Sequence, residues 1–69
     1  MKISARNQLK GKVTSITHGA VNSEVVIEVA AGVELTSIIT KASAEAMGLA
    51  VGSTAYAVVK ASNVMVAAD

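Results

Sequence analysis

Val21-Asn22-Ser23-Glu24-Val25-Val26-Ile27-Glu28-Val29 decides the fold class of this chain. Val21, Ser23, Val25, Ile27 and Val29 share one face, and Asn22, Glu24, Val26 and Glu28 share the other. That period of two predicts a strand. Downstream, Ala30-Ala31-Gly32 turns the chain, and Val33, Leu35, Ser37 and Ile39 alternate against Glu34, Thr36, Ile38 and Thr40. Upstream, His18-Gly19 reads as a turn that follows a first strand, roughly Asn7 to Thr17. Leu9, Gly11 and Val13 share one phase of that strand and Ile16 is out of phase, so a bulge or strong twist is expected there.

The pattern changes at Thr40. Thr40-Lys41-Ala42-Ser43-Ala44-Glu45-Ala46-Met47-Gly48 predicts a helix of about two turns, with Thr40 as N-cap and Gly48 at its C-terminal stop. After the turn Val51-Gly52-Ser53, a strand is expected from about Thr54 to Lys60. Ser62-Asn63 breaks it, and Val64 to Ala67 reads as a last short strand. This order predicts an all-β fold: a five-stranded OB-type Greek-key barrel with one short helix between strands 3 and 4, forming one domain over residues 1–69. Val26, Ile38, Val58 and Met65 fall opposite the main core phase. A small barrel has one interior, so this second apolar face predicts a partner surface, most simply another copy of the chain.

Composition supports that expectation. A 69-residue chain buries only about 60% of its unfolded surface and commonly needs disulfides, metals or oligomerisation for support. There are no cysteines and one histidine, while hydrophobic residues make up 52% of the chain. Oligomerisation is therefore the expected support. No apolar signal-like segment and no run of about 18 apolar residues is present, so a soluble, cytoplasmic protein with no membrane association is expected. The net charge of +1 and the single aromatic residue, Tyr56, argue against a nucleic-acid surface, which needs a basic groove and stacking rings.

The charge is unevenly placed. Lys2, Arg6, Lys10 and Lys12 are four of the six basic residues, and no acidic residue precedes Glu24. The N-terminal end is thus rich in donors and suits a small oxyanion. A metal ion would need anionic or imidazole ligands.

Ser4-Ala5-Arg6-Asn7-Gln8-Leu9-Lys10-Gly11-Lys12-Val13 closely resembles the molbindin, or Mop-domain, family of small molybdate- and tungstate-binding proteins. The resemblance continues through Gly19-Ala20-Val21-Asn22, Thr36-Ser37-Ile38-Ile39-Thr40, Gly48-Leu49 and the segment from Tyr56 to Met65. It implies an OB-type barrel assembled as a hexamer, a trimer of dimers, with oxyanions held between subunits. Carried onto this chain, it implies an interface site of Ser4, Ala5, Arg6, Thr40, Ser43, Lys60, Ala61 and Ser62. It also implies a second site on the threefold axis at Gly19, Ala20, Val21 and Asn22. The implied role is intracellular molybdenum storage or homeostasis. Molybdate or tungstate is the ligand, and no cofactor or directly coordinated metal is involved.

The chemistry of those residues agrees. Molybdate is a tetrahedral dianion near neutral pH and can only accept hydrogen bonds. Arg6 and Lys60 offer charge-assisted bonds; Ser4, Thr40, Ser43 and Ser62 offer hydroxyls; Ala5 and Ala61 let backbone N–H groups approach. Hydrogen phosphate carries a proton that the cationic and backbone N–H donors cannot accept, and leaving it facing them costs about 1–3 kcal/mol per unsatisfied group. Each residue also has an ordinary structural reading. Arg6 and Lys60 suit solvated surface, Thr40 a helix cap, Ser62-Asn63 a turn, Gly19 a positive φ, and His18 a solvated turn. Competing functions are a single-stranded nucleic-acid-binding OB module and a purely structural assembly module. An enzyme is not expected, because no nucleophile–base pair or paired carboxylates can be nominated.

Overall fold

A computed structural model describes all residues, Met1–Asp69. Its elements are β1 (Asn7–His18), β2 (Asn22–Ala30), β3 (Val33–Thr40), helix α1 (Lys41–Ala46) and β4 (Thr54–Val59), followed by a 3-10 turn at Ala61–Asn63. The strands form one curled antiparallel sheet in the order β3-β2-β1-β4. β1 organises it. Its first half pairs with β4, from Asn7↔Val59 to Lys12↔Thr54, and its second half pairs with β2, from Lys12↔Glu28 to His18↔Ser23.

The expected bulge lies at Thr14 rather than at Ile16, between the pairs Val13↔Ile27 and Ser15↔Val26. The extra residue resets the phase, so Ile16 packs against the same core as Val13. That core is Val13, Val25 and Ile27, flanked by Ile16, Val29, Ile39, Leu49, Ala55 and Ala57. The alternation of β2 holds at Ser23, Val25 and Ile27, which are buried, whereas Val21 precedes the strand and is exposed.

Helix α1 is shorter than expected but ends as its sequence implies. Thr40 Oγ1 accepts the Ser43 N–H at 3.0 Å, an N-cap. At the other end Gly48 has φ +63. The Gly48 N–H bonds the Glu45 carbonyl and the Leu49 N–H bonds the Ala44 carbonyl, the paired arrangement of a Schellman cap.

The expected fifth strand, Val64 to Ala67, is absent, so the single chain has four strands. A tight hairpin reversal after β4 needs residues with φ > 0. Ala61, Ser62 and Asn63 form a 3-10 turn instead, and no non-glycine residue in the chain has positive φ. The chain therefore does not fold back onto β4. Met65 and Val66 are 93% and 91% exposed. β3 and β4 remain free edges, and an apolar groove of about 380 Å³ runs between them, lined by residues including Ile27, Ile39, Leu49, Tyr56 and Val58.

The single chain hides little of its apolar surface. Only Val13, Ser23, Val25, Ile27 and Ala44 are buried. A monomeric protein of this mass exposes about 4,000 Å², whereas this chain exposes 5172 Å². Ile38 and Val58, expected on the second apolar face, are indeed exposed, and Val26 is half-buried.

Candidate functional site

The antiparallel register of β1 and β4 builds the site. Asn7 opposes Val59 at the end of the ladder. The residues just before Asn7 and just after Val59 therefore leave the sheet side by side. They enclose an open cleft of about 540 Å³, lined by Ile3, Ser4, Ala5, Arg6, Lys60, Ala61 and Ser62. Six of these seven are residues expected from the sequence, brought together across more than fifty positions. Ile3 is the addition; an apolar residue before the motif gave no chemical signal.

The wall holds two cations, two hydroxyls and no carboxylate. The 3-10 turn adds to the donors. Its first hydrogen bonds run from the N–H groups of Asn63 and Val64 to the carbonyls of Lys60 and Ala61. The N–H groups of Ala61 and Ser62 thus have no partner within the turn. The arrangement can receive an acceptor-only anion. No cluster of three or more His, Cys, Asp or Glu side chains is present to hold a metal ion.

Thr40 and Ser43 do not line this cleft. Thr40 opposes Asn22 at the start of β2, and that end of β2 meets β1 at His18. Thr40 and Ser43 therefore sit at the opposite end of β1 from Arg6. Their hydroxyls bond each other, Thr40 Oγ1 donating to Ser43 Oγ at 2.7 Å. Within one chain they neighbour the other expected group instead. The Lys41 N–H donates to the Val21 carbonyl at 2.7 Å, and the Gly19 N–H donates to the Asn22 carbonyl at 2.7 Å. Gly19–Asn22 is thus a closed turn packed beside the start of α1. Gly19 has no positive φ; a Cβ there would lie 2.9 Å from the Asn22 carbonyl oxygen, so close approach is what requires glycine.

His18 is not merely a solvated turn residue. Its Nδ1 lies 2.6 Å from Oγ of Ser23, which is buried. Cross-strand placement created this pair, His18↔Ser23, and nothing in the spacing of the two residues announced it.

Comparison with known proteins places this architecture. The TOBE domain family model matches residues 3–66. The chain is 51% identical to a probable molybdenum-pterin-binding protein of Haemophilus influenzae, with all of both chains covered. It is 52% identical to molybdenum-pterin-binding protein 2 of Clostridium pasteurianum, covering 99% of this chain and 100% of that one. Among solved structures, MopII of Clostridium pasteurianum, in an apo form, superposes with a TM-score of 0.90 at 51% identity, covering 97% of this chain and all of that one. A molybdate-binding protein from Sporomusa ovata superposes with a TM-score of 0.91 at 37% identity, covering 99% of this chain and all of that one. The cytoplasmic molybdate-binding protein ModG, with molybdate bound, gives 0.89 at 48% identity; this chain matches 46% of its length. With the TOBE model spanning nearly its whole length and relatives matched end to end, the chain belongs to the Mop, or molbindin, family of TOBE-domain proteins.

Proposed function

We propose that this protein binds molybdate, and tungstate with little discrimination, as a cytoplasmic molybdenum store rather than as an enzyme. The observation that carries this reading is the cleft whose wall presents Arg6, Lys60, Ser4 and Ser62 and no carboxylate. Such a wall favours a fully deprotonated tetrahedral dianion over hydrogen phosphate, whose proton only the two serine hydroxyls could accept, at the loss of their own donation to the anion. Molybdate bound in ModG, whose chain is 48% identical over the matched region, supports the choice of ligand.

The cleft is open, and one chain supplies only part of an enclosure. We infer that Thr40 and Ser43 of a second copy complete it, because within one chain they lie at the far end of β1. Self-association is supported by area. The chain exposes about 1,200 Å² more than a monomer of its mass, and a standard interface buries about 800 Å² per partner. The unpaired apolar tail Val64–Ala67 and the free edges of β3 and β4 are complementary. A tail from a second copy entering that groove would complete a five-stranded barrel. The order in which β4 lies beside β1 of the β1-β2-β3 meander is compatible with a Greek key. A hexamer, with Gly19–Asn22 gathered on a threefold axis as a second oxyanion site, is the assembly proposed. A nucleic-acid role has no comparable support, since Tyr56 is the single aromatic residue.

Calorimetric titration of the assembled protein with sodium molybdate tests the reading, with sulfate and phosphate as comparisons. Saturable binding is expected, with Arg6→Ala weakening it about 10- to 100-fold, the range for one charge-assisted bond. Absence of saturable heat from well-folded protein would reject it.

A further inference from the structure

Asn7 and Gln8 stand beside the cleft without lining it, and each commits its side-chain amide to a backbone carbonyl. Gln8 Nε2 donates to the Ala5 carbonyl at 3.1 Å. Asn7 Nδ2 donates to the Val59 carbonyl at 3.3 Å. These two carbonyls have something in common. Each belongs to the peptide whose N–H is that of a lining cation: the Ala5–Arg6 peptide carries the Arg6 N–H, and the Val59–Lys60 peptide carries the Lys60 N–H.

The chain has no cis peptide bonds, and in a trans peptide the C=O and N–H point in opposite directions. Tying a carbonyl to a group outside the cleft therefore fixes where the opposing N–H points. The sense matters for an oxyanion. A carbonyl oxygen turned toward it repels it, and an N–H turned toward it binds it. The Ala5–Arg6 peptide lies ahead of β1, where no ladder sets its plane, so a side chain must do so; Val59 ends β4 opposite Asn7, and there the Asn7 amide adds to the ladder.

We propose that Asn7 and Gln8 are positioning residues for the oxyanion. Their carboxamides hold the Ala5 and Val59 carbonyls away from the cleft and so present the Arg6 and Lys60 N–H groups to the ligand. This rests on the cleft being the oxyanion site. It adds two backbone donors to the side-chain donors already named, and it gives the consecutive pair Asn7-Gln8 a role that neither core packing nor direct contact supplies. Gln8 is exposed and Asn7 half-buried, so neither is needed to fill the core.

The test uses Gln8→Met, which keeps the length of the side chain and removes its donor. Calorimetric titration with sodium molybdate should show about three- to tenfold weaker binding than wild type, the effect of one neutral hydrogen bond. The far-UV circular dichroism and melting temperature should be unchanged. In isotope-labelled wild-type protein, the Arg6 and Lys60 amide protons should move downfield on adding molybdate. In Gln8→Met the Arg6 shift should shrink while the Lys60 shift persists, a selectivity that a general loss of structure would not produce. If wild type binds molybdate but its Arg6 and Lys60 amides do not move, the positioning role is wrong and the cleft reading, judged by Arg6→Ala, still stands. Equal affinity and an equal Arg6 shift in Gln8→Met would also overturn it. If wild type does not bind at all, both fall together. Even if the variant folds poorly, wild-type Arg6 and Lys60 amides that fail to move on adding molybdate overturn the proposal.

Discussion

Gly11→Ala should meet a closer steric clash than the same change at any other glycine of this chain. A Cβ at Gly11 would lie 2.3 Å from the Glu28 carbonyl oxygen, 2.8 Å from its carbon and 2.9 Å from Ile27 Cγ2. Two of those three atoms are backbone and cannot rotate aside. Relief requires β1 and β2 to separate by about 1 Å beside the pair Val13↔Ile27, two of the three residues of the core cluster. Overpacking of this kind costs about 1–3 kcal/mol, and the lost entropy of the unfolded chain returns only about 0.4–1 kcal/mol. A net loss of about 1.3 kcal/mol is appreciable against the roughly 3–10 kcal/mol expected for a domain of this length. It should lower the melting temperature by about 5–10 °C. The assay is a far-UV circular dichroism melt at fixed protein concentration, since assembly would make the midpoint concentration-dependent. A melting temperature within about 3 °C of wild type would refute the steric reasoning and imply a β1–β2 spacing wider than described.

Three further outcomes are expected. Thr40→Ala removes the N-cap of α1 and should cost about 1 kcal/mol in urea unfolding; Thr40→Ser should restore most of it, and no difference between the two would remove the cap as a stabilising feature. His18→Leu deprives the buried Ser23 hydroxyl of its partner and should destabilise by about 1–3 kcal/mol. The double variant with Ser23→Ala should recover part of the loss, and additivity would show that the two side chains are not coupled. Deleting the tail from Val64 onward should leave the far-UV spectrum of the sheet but lower the mass found by light scattering; an unchanged mass would exclude the tail from the assembly.

The residues of this chain settled what could be read locally. Period-two alternation placed β2 and β3 because each strand's faces are chemically unlike. Thr40 and Gly48 bounded the helix because capping depends on one hydroxyl and one permitted φ. The donor-rich N-terminus was legible because charge and hydrogen-bonding capacity belong to residue types, not to their arrangement. The tail from Val64 to Ala67 misled for a related reason. An apolar extended segment reads as a strand, but a strand needs an edge to pair with, and the turn at Ala61–Asn63 does not return the chain to its own sheet.

Only the tertiary structure decided which distant residues meet. The register Asn7↔Val59 put Ser4, Ala5 and Arg6 beside Lys60, Ala61 and Ser62. The same strand, followed to its other end, carried Thr40 and Ser43 away from them. It also joined His18 to Ser23 and set the Asn7 amide against the Val59 carbonyl. Local sequence carries the chemistry of each group. Register and strand order set the distances between groups, and hydrogen bonding, with its range of about 3 Å, depends on those distances.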